Sequence, residues 1–383
     1  MQVAGHTRHD GRIAQWFPLV PRPRPPCRAL TQRVQEIRDL AHAASHGTRV
    51  DRVVAAAEAH NKAALILSDC GLTDMANQLC WKQYDIFQAA APLTAKTAKL
   101  ALQPIINLGR LLIRAGHGDR AYQVFQRAYD AMRTGSATTI DERDIDLGGL
   151  VDTADAHREL RRFLWTVLLA DGTRALTTSG QWNAALRHVE HHKGIGTRLL
   201  DGRQVAILAH STAGNLNRAI NILDTTNTPE PWEQAVAAHL HARCRTINQQ
   251  PAGTKIATMV NHYLHLAPEP GQAVFRTRLG LAVLELTVNS NTGAAHEVAA
   301  RICREALDTA DAYLAWDVLN DPNSGWIASD YDRRTLATMV ESSGLHRAAI
   351  PADDLDEIDQ AVCASGAQLA RLLTVMPASL DPR

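Results

Sequence analysis

Three hydrogen-bond donors lie close together near residue 110: the amide of Asn107 and the guanidinium groups of Arg110 and Arg114. A carboxylate is held best by several fixed donors of this kind, because charge-assisted hydrogen bonds are short and strong. The chemistry that this cluster could perform is therefore the capture of an acidic group or of a chain end. The donors need a rigid element to fix them in place.

The surrounding stretch has the pattern of two helices joined by a glycine turn. The first helix has an apolar face and one glycine, Gly109, where a neighbouring helix must come close. Gly116 ends that helix, because glycine readily takes the left-handed conformation of a helix cap. The second helix alternates small and large buried residues, which lets two antiparallel helices pack closely: Ala121, Val124, Phe125 and Ala128. The stretch therefore predicts a helical hairpin.

Three further stretches align with this hairpin through their turn glycines, Gly71, Gly180 and Gly214. Helical periodicity dominates the rest of the chain, so the fold class is predicted to be all-α. The opening hairpin resembles a tetratricopeptide repeat at seven positions: Leu108, Gly109, Leu112, Gly116, Ala121, Phe125 and Ala128. Ile105 stands where the family has tryptophan, and the family's closing proline is absent. Gly180 and Gly214 are 34 positions apart, which is the period of this repeat.

The chain is thus similar to tetratricopeptide-like helical-repeat proteins of the actinobacterial type. The resemblance implies a right-handed α-solenoid of helical hairpins with degenerate C-terminal repeats. Residues 1–28 contain a proline-rich stretch and are expected to be disordered. Residues 29–230 hold the repeats, with an inserted loop around 134–155 where the helical pattern fails. Residues 231–383 are expected to form degenerate helical repeats and a C-terminal cap.

Placing the four turn glycines in one register assigns the side chains on the concave side of the stack. Ten of them could contact a ligand: Asn61, Lys62, Asn107, Arg110, Arg114, Asp171, Arg174, Arg203, Gln204 and Ser211. Family members use lysine, arginine and asparagine there to hold a peptide carboxylate, and the resemblance places Asn107 at a clamp position. The alternative is that these residues are ordinary solvated faces of helices.

The composition argues against several classes of partner. The 383 residues are 45% hydrophobic and 21% charged, which indicates a globular protein. Forty basic residues balance forty acidic ones, and aromatics are only 5%, so neither charge nor stacking recommends nucleic acid. No apolar run is long enough to cross a membrane. The six cysteines are far apart, which is typical of reduced thiols and predicts a cytoplasmic protein.

Two other residue groups could in principle do chemistry. His188, His191 and His192 fall at helical steps, so two imidazoles could share a metal ion. No nearby carboxylate completes a set, and a polar helix end is the alternative that fits better. Cys70 precedes a turn glycine, and His60 is too far along the same helix to act as its base. The sequence therefore predicts no metal site, no cofactor and no catalytic residue.

These features favour a non-enzymatic binding or scaffold protein that recognises a peptide or protein segment in the concave groove. The recognised group would be acidic or a C-terminal carboxylate, and the protein would be accessory to a regulatory or biosynthetic system. The alternative is an enzyme that acts on an anionic small molecule or peptide in the same groove. Direct binding of nucleic acid or membrane is not expected, and a homodimer is left open.

Overall fold

The computed structural model describes residues 16–374, and helices account for most of this range. This confirms the expectation of a largely helical chain, which rests on apolar residues recurring every three to four positions. Within the described range, no helix is both long and apolar enough to cross a membrane.

The bounds of the helices and strands follow in chain order. Helices α1 to α5 span Leu30–Ala43, Arg49–Asp69, Thr73–Gln88, Ala95–Arg114 and Gly118–Thr134. Strands β1 (Ala137–Ile140) and β2 (Arg143–Asp146), a 3-10 turn (Gly148–Leu150), α6 (Ala154–Val167) and a π-helical turn (Leu168–Gly172) come next. Helices α7 to α12 span Thr173–Thr178, Trp182–His191, Asp201–Thr212, Leu216–Asp224, Pro231–Ile247 and Gly253–Leu264. Helices α13 to α18 span Ala273–Thr287, Thr292–Thr309, Ala312–Leu319, Ser324–Ile327, Asp330–Ser343 and Ala352–Thr374.

The four turn glycines share one backbone conformation. Gly71, Gly116, Gly180 and Gly214 have φ angles of 84°, 78°, 71° and 80°, in the left-handed region that glycine adopts at least cost. The amide after each glycine donates to the carbonyl five residues earlier, at 2.8–3.0 Å, which is the bond of a Schellman cap. Each glycine joins two helices that pack on each other: α2 with α3, α4 with α5, α7 with α8, and α9 with α10.

The close approach expected at Gly109 is also present. A Cβ atom at this position of α4 would overlap the ring of Phe125 on α5. Phe125 is 3% exposed and Ala121, one turn earlier on the same helix, is fully buried. The small residue therefore sets the spacing of the α4–α5 hairpin, because the aromatic ring fills the space that a side chain would take.

The described chain folds into two compact units, each with its own packed interior. The first unit comprises residues 29–172 and 343–374, with α1 to α6, the β-hairpin and α18. Its helices pack in sequence, and α18 returns to pack against α1, α2 and α3.

A β-hairpin, residues 137–146, lies within the stretch around 134–155 that the sequence predicts to be an inserted loop. Ile140 pairs with Arg143 across the tight turn. Ile140 and Ile145 are 1% and 5% exposed, and β1 packs against α5. Between Thr134 and Ala154 the stretch contains this hairpin and one 3-10 turn instead of an irregular loop, and the two isoleucines give the hairpin a buried side.

The second unit comprises residues 16–28 and 173–342, with α7 to α16 and all but the last residue of α17. Its helices also pack in consecutive pairs, which include α11 with α12 and α13 with α14. The bounds of these units differ from those of the predicted segments 29–230 and 231–383. Those segments divide the chain by type of repeat, and that division stays a prediction.

Residues 16–28 depart from the expectation of disorder. Phe17, Leu19 and Cys27 are 2%, 3% and 1% exposed in the second unit, so the prediction is wrong for this part of the segment. Their partners lie 160 to 284 positions away along the chain, and no local sequence pattern reports such contacts. Residues 1–15 lie outside the described range.

Candidate functional site

Polar side chains connect the leading helices of the first unit, where α2 packs beside α4 and α4 beside α6. Six of the predicted site residues lie on these helices or on the π-helical turn after α6: Asn61, Lys62, Asn107, Arg110, Arg114 and Asp171. Together with Glu36 on α1 and Asp69 at the end of α2, we call this set the polar ladder.

The amide end of the polar ladder joins α2 to α4. Asn107 donates from Nδ2 to Oδ1 of Asn61 at 3.2 Å. The neighbouring Lys62 places Nζ 3.0 Å from Glu36 and 3.7 Å from Glu58. Asn61 and Asn107, two of the predicted site residues, therefore meet across two helices.

Asp69 is the buried centre of the polar ladder. Its side chain is 2% exposed and accepts hydrogen bonds from the guanidinium of Arg33 on α1 and from Nη1 of Arg114, the latter at 2.9 Å. The same Nη1 donates to Oγ of Ser68 at 2.9 Å. A buried carboxylate needs such donors, because an unpaired charge away from water is costly.

Sequence reasoning missed Asp69 and Arg33. Asp69 stands two residues before a turn glycine, where the sequence suggests only a helix end. Arg33 comes from a helix outside the aligned hairpins, and only the packing of α1 on α2 brings it to Asp69. The one available signal was an acidic residue within the apolar end of α2.

Arg110 binds the acidic member of the predicted set. Its Nε and Nη2 donate to Oδ2 of Asp171 at 3.1 and 2.8 Å. The side chain of Arg110 is 49% exposed and that of Arg114 is 39% exposed. Two partly exposed guanidinium groups thus lie one turn apart on α4, and each of them holds a carboxylate of the chain. Chemically, this edge of the polar ladder binds carboxylates.

The predicted site residues of the second unit do not form a comparable surface. Arg174 is exposed on α7. Arg203 donates to the carbonyls of Gly196 and Ile222 at 2.7 and 2.9 Å and to the hydroxyls of Thr225 and Thr226 at 2.9 and 2.6 Å. Partial burial lowers the pKa of Arg203. Its guanidinium closes the end of α10, where helix carbonyls lack partners of their own.

Gln204 and Ser211 are fully buried, which the sequence did not predict. Gln204 bonds to the main chain of Leu19 and to the carbonyl of Leu199. Oγ of Ser211 accepts a hydrogen bond from Nδ2 of Asn248 at 3.1 Å. Neither side chain has exposed surface for a ligand, because the chain itself covers both.

The histidine and cysteine groups give no reactive arrangement. The ring of His192 lies 4.8 Å from those of His188 and His191. Among residues 16–374, no three or more His, Cys, Asp or Glu side chains are grouped so that they could hold a metal ion. Burial raises the pKa of Cys80 to about 12 and that of Cys244 to about 11, so these thiols stay protonated at neutral pH and are poor nucleophiles.

A cleft of about 360 Å³ lies beside the β-hairpin of the first unit. Five polar or charged residues and three apolar ones line it: Arg120, Gln123, Arg127, Asp141 and Glu142, with Leu112, Val124 and Ile140. Arg120 pairs with Asp141 across it at 3.1 Å. The lining contains no histidine, cysteine or serine, so it offers no nucleophile with an adjacent imidazole base.

The polar ladder thus holds six of the predicted site residues. Comparison with known proteins identifies no relative: no protein-family model, no curated protein and no solved structure matches the chain.

Proposed function

We propose that this chain is a non-enzymatic, tetratricopeptide-like binding protein, and that the polar ladder of its first unit recognises the carboxylate of a peptide or protein segment. The repeated turn geometry and the sequential pairing of helices support a helical-repeat scaffold. Such scaffolds present their leading helices as an extended binding surface.

One observation carries the proposal: Arg110 and Arg114 are exposed by 49% and 39% while each already holds a carboxylate. The Arg110–Asp171 pair is accessible to water, and exposed pairs contribute only about 0–1 kcal/mol. A ligand carboxylate can therefore replace Asp171 at small cost. Asn61 and Asn107 lie on the same two helices and supply amide groups that can bond to a peptide main chain.

Charge reversal tests the proposal directly. The double variant Arg110→Glu, Arg114→Glu is expected to lose binding to peptides selected by the wild-type chain from a library with free and amidated C-termini. Two surface arginines of the same unit, Arg133 and Arg158, are 51% and 60% exposed in pairs of their own. The double variant Arg133→Glu, Arg158→Glu changes the net charge by the same amount as the Arg110 and Arg114 variant. It is expected to leave peptide binding unchanged.

Removing the charge of Asp171, the carboxylate that Arg110 holds, is expected to change peptide affinity in the opposite direction. Asp171→Asn removes the internal competitor for Arg110, so peptide affinity is expected to rise by about two- to fivefold, the loss of a pair worth up to about 1 kcal/mol. If the Arg110 and Arg114 variant retains every peptide and Asp171→Asn changes nothing, the proposal is refuted.

A further inference from the structure

Residues 16–28 lie on the second unit and contact five of its leading helices. The contacts come from α7, α9, α11, α13 and α15. They are made by Thr177, Asp201, Gln204, His239, Arg278, Asp311 and Tyr313. We call this piece of chain the strap. Helical-repeat scaffolds present such neighbouring helices as an extended binding surface.

One glutamine side chain forms hydrogen bonds with the main chain of the strap. Gln204 accepts from the amide of Leu19 through Oε1 at 2.8 Å and donates from Nε2 to the carbonyl of Leu19 at 2.8 Å. Thr177 donates from Oγ1 to the carbonyl of Phe17 at 3.2 Å. These bonds recognise extended backbone whatever its side chains, which is the mode that peptide receptors use for affinity.

Two side chains of the strap supply the specific part. Phe17 and Leu19 are 2% and 3% exposed, with the stiff Pro18 between them. The ring of Phe17 stacks on that of His239, with centroids 5.3 Å apart and planes 25° apart. The surface thus accepts an aromatic residue, a proline and an aliphatic residue in succession.

The floor beneath Phe17 has hydrogen-bonding capacity that the strap does not use. His239 is fully buried, and neither Nδ1 nor Nε2 has a hydrogen-bond partner among the described residues. A buried imidazole with both nitrogens unpaired is costly. The strap therefore leaves the hydrogen-bonding capacity of the His239 ring unused.

The middle of the strap, residues 22–26, is largely exposed. Arg22, Pro23, Pro25 and Pro26 are exposed, and proline has no amide hydrogen that would need a partner. Arg22 pairs with Asp201 at 2.6 Å but is 49% exposed. The guanidinium of Arg24 lies 3.6 Å from the ring centroid of Tyr313, and the amide of Cys27 donates to Asp311 at 3.0 Å. Release of the Phe17–Leu19 end breaks the bonds of Gln204 and Thr177 to the strap but no backbone hydrogen bond within a helix.

We propose that the leading-helix face of the second unit is a binding site for an extended peptide of another protein, with an aromatic–proline–aliphatic core, and that the strap occupies this site as an intramolecular competitor. A tethered segment acts at an effective concentration in the millimolar range. A partner peptide therefore binds weakly until it outcompetes the strap or the strap is released. This site is separate from the polar ladder of the first unit.

The test uses the full chain and a fluorescein-labelled peptide with the strap's own sequence, WFPLVPRPRPP, residues 16–26. Phe17→Ala with Leu19→Ala in the chain empties the site, since both lost side chains are buried. The peptide is expected to bind this variant at least about tenfold more tightly than the wild type. A peptide with alanine at the same two positions is expected not to bind either chain.

Gln204→Ala, added to the emptied chain, is expected to weaken peptide binding by about tenfold, because two buried backbone bonds are lost. The matched control is Gln83→Ala in the first unit. Gln83 is also buried and donates to a backbone carbonyl, that of Ala57 at 3.0 Å. This change is expected to lower stability without changing peptide affinity. Equal peptide affinity for the wild-type and emptied chains overturns the proposal.

Hydrogen exchange on the unmodified chain provides a test that needs no variant. If the strap opens by itself, the amide of Leu19 exchanges faster than the amides in the middle of α9 and α11. Equal protection of all three means that the strap is an integral part of the fold, and the proposal fails. Light scattering measures whether the chain forms a dimer, and so tests whether a second copy of the chain supplies the bound segment. A dimer that disappears with Phe17→Ala and Leu19→Ala would mean that a second copy supplies the segment, which overturns the assignment to another protein.

Discussion

The leading helices of the two units end in the same glycine turn, yet their polar faces are satisfied in different ways. In the first unit, the polar ladder bonds helix to helix through side chains that stay partly exposed. In the second unit, the strap covers the face and buries Gln204 and His239. A repeated turn thus fixes how two helices meet, whereas the side chains on the leading helices decide what covers them.

The largest expected effect comes from removing buried carboxylates. Asp69→Ala leaves the buried Arg33 without this acidic partner, and Glu285→Ala does the same to Arg243, whose side chain is 2% exposed. We expect each change to cost about 3–5 kcal/mol, measured by urea unfolding followed by circular dichroism. The control Asp171→Ala breaks a pair with a half-exposed arginine and should cost under about 1 kcal/mol. Equal costs for Asp69→Ala and Asp171→Ala would contradict the burial argument.

Each unit has a buried histidine, His60 in the first and His239 in the second, that makes its stability depend on pH. Burial lowers the pKa of His60. It lowers the pKa of His239 further, and the nearby positive charge of Arg243 lowers the pKa of His239 as well. Glu285 faces Arg243 from α13. The unfolded chain takes up protons near pH 6.5, while the folded histidines stay neutral. Stability is therefore expected to fall as pH drops below 6.5, by up to about 1.4 kcal/mol per pH unit for each histidine.

We expect His239→Leu to flatten this pH dependence more than His60→Leu does. His60 keeps a contact from Nδ1 to the carbonyl of Ala56 at 3.1 Å, whereas His239 has no hydrogen-bond partner among residues 16–374. Urea unfolding of both variants and the wild type at pH 7.5, 6.5 and 5.5 measures the slopes. An unchanged slope in His239→Leu would show that its ring is accessible to protons in the folded chain.

The smallest effect tests whether the turns of the two units are equivalent. Gly116 and Gly214 have φ of 78° and 80°, and a Cβ atom at either would meet no atom within 4 Å. Alanine at each position should therefore cost about 1 kcal/mol from backbone strain alone, and the two costs should agree. Gly196→Ala, also in open space but without a left-handed φ, is the control and should be nearly neutral. Unequal costs for Gly116→Ala and Gly214→Ala would break the equivalence of the turns.

Much of the local structure could be read from residue types. Apolar spacing predicts the helices, and the glycines mark the turns with a shared conformation. Asn61 and Asn107 are both among the predicted site residues, and they meet because α2 and α4 pack beside each other. The burial of Gln204 and Ser211 could not be read, since a glutamine or serine on a helix looks the same whether water or another segment covers it.

Local sequence patterns and long-range contacts therefore determined different parts of this structure. The sequence by itself determined where the helices begin, turn and pack in pairs, because helix periodicity and left-handed glycine caps act over a few residues. Only the tertiary structure decided that Asp69 is a buried ion-pair centre and that the strap lies on the second unit. Leu19 and Gln204 are 185 positions apart, and Cys27 and Asp311 are 284 apart. Contacts of that range depend on how the whole chain buries its surface.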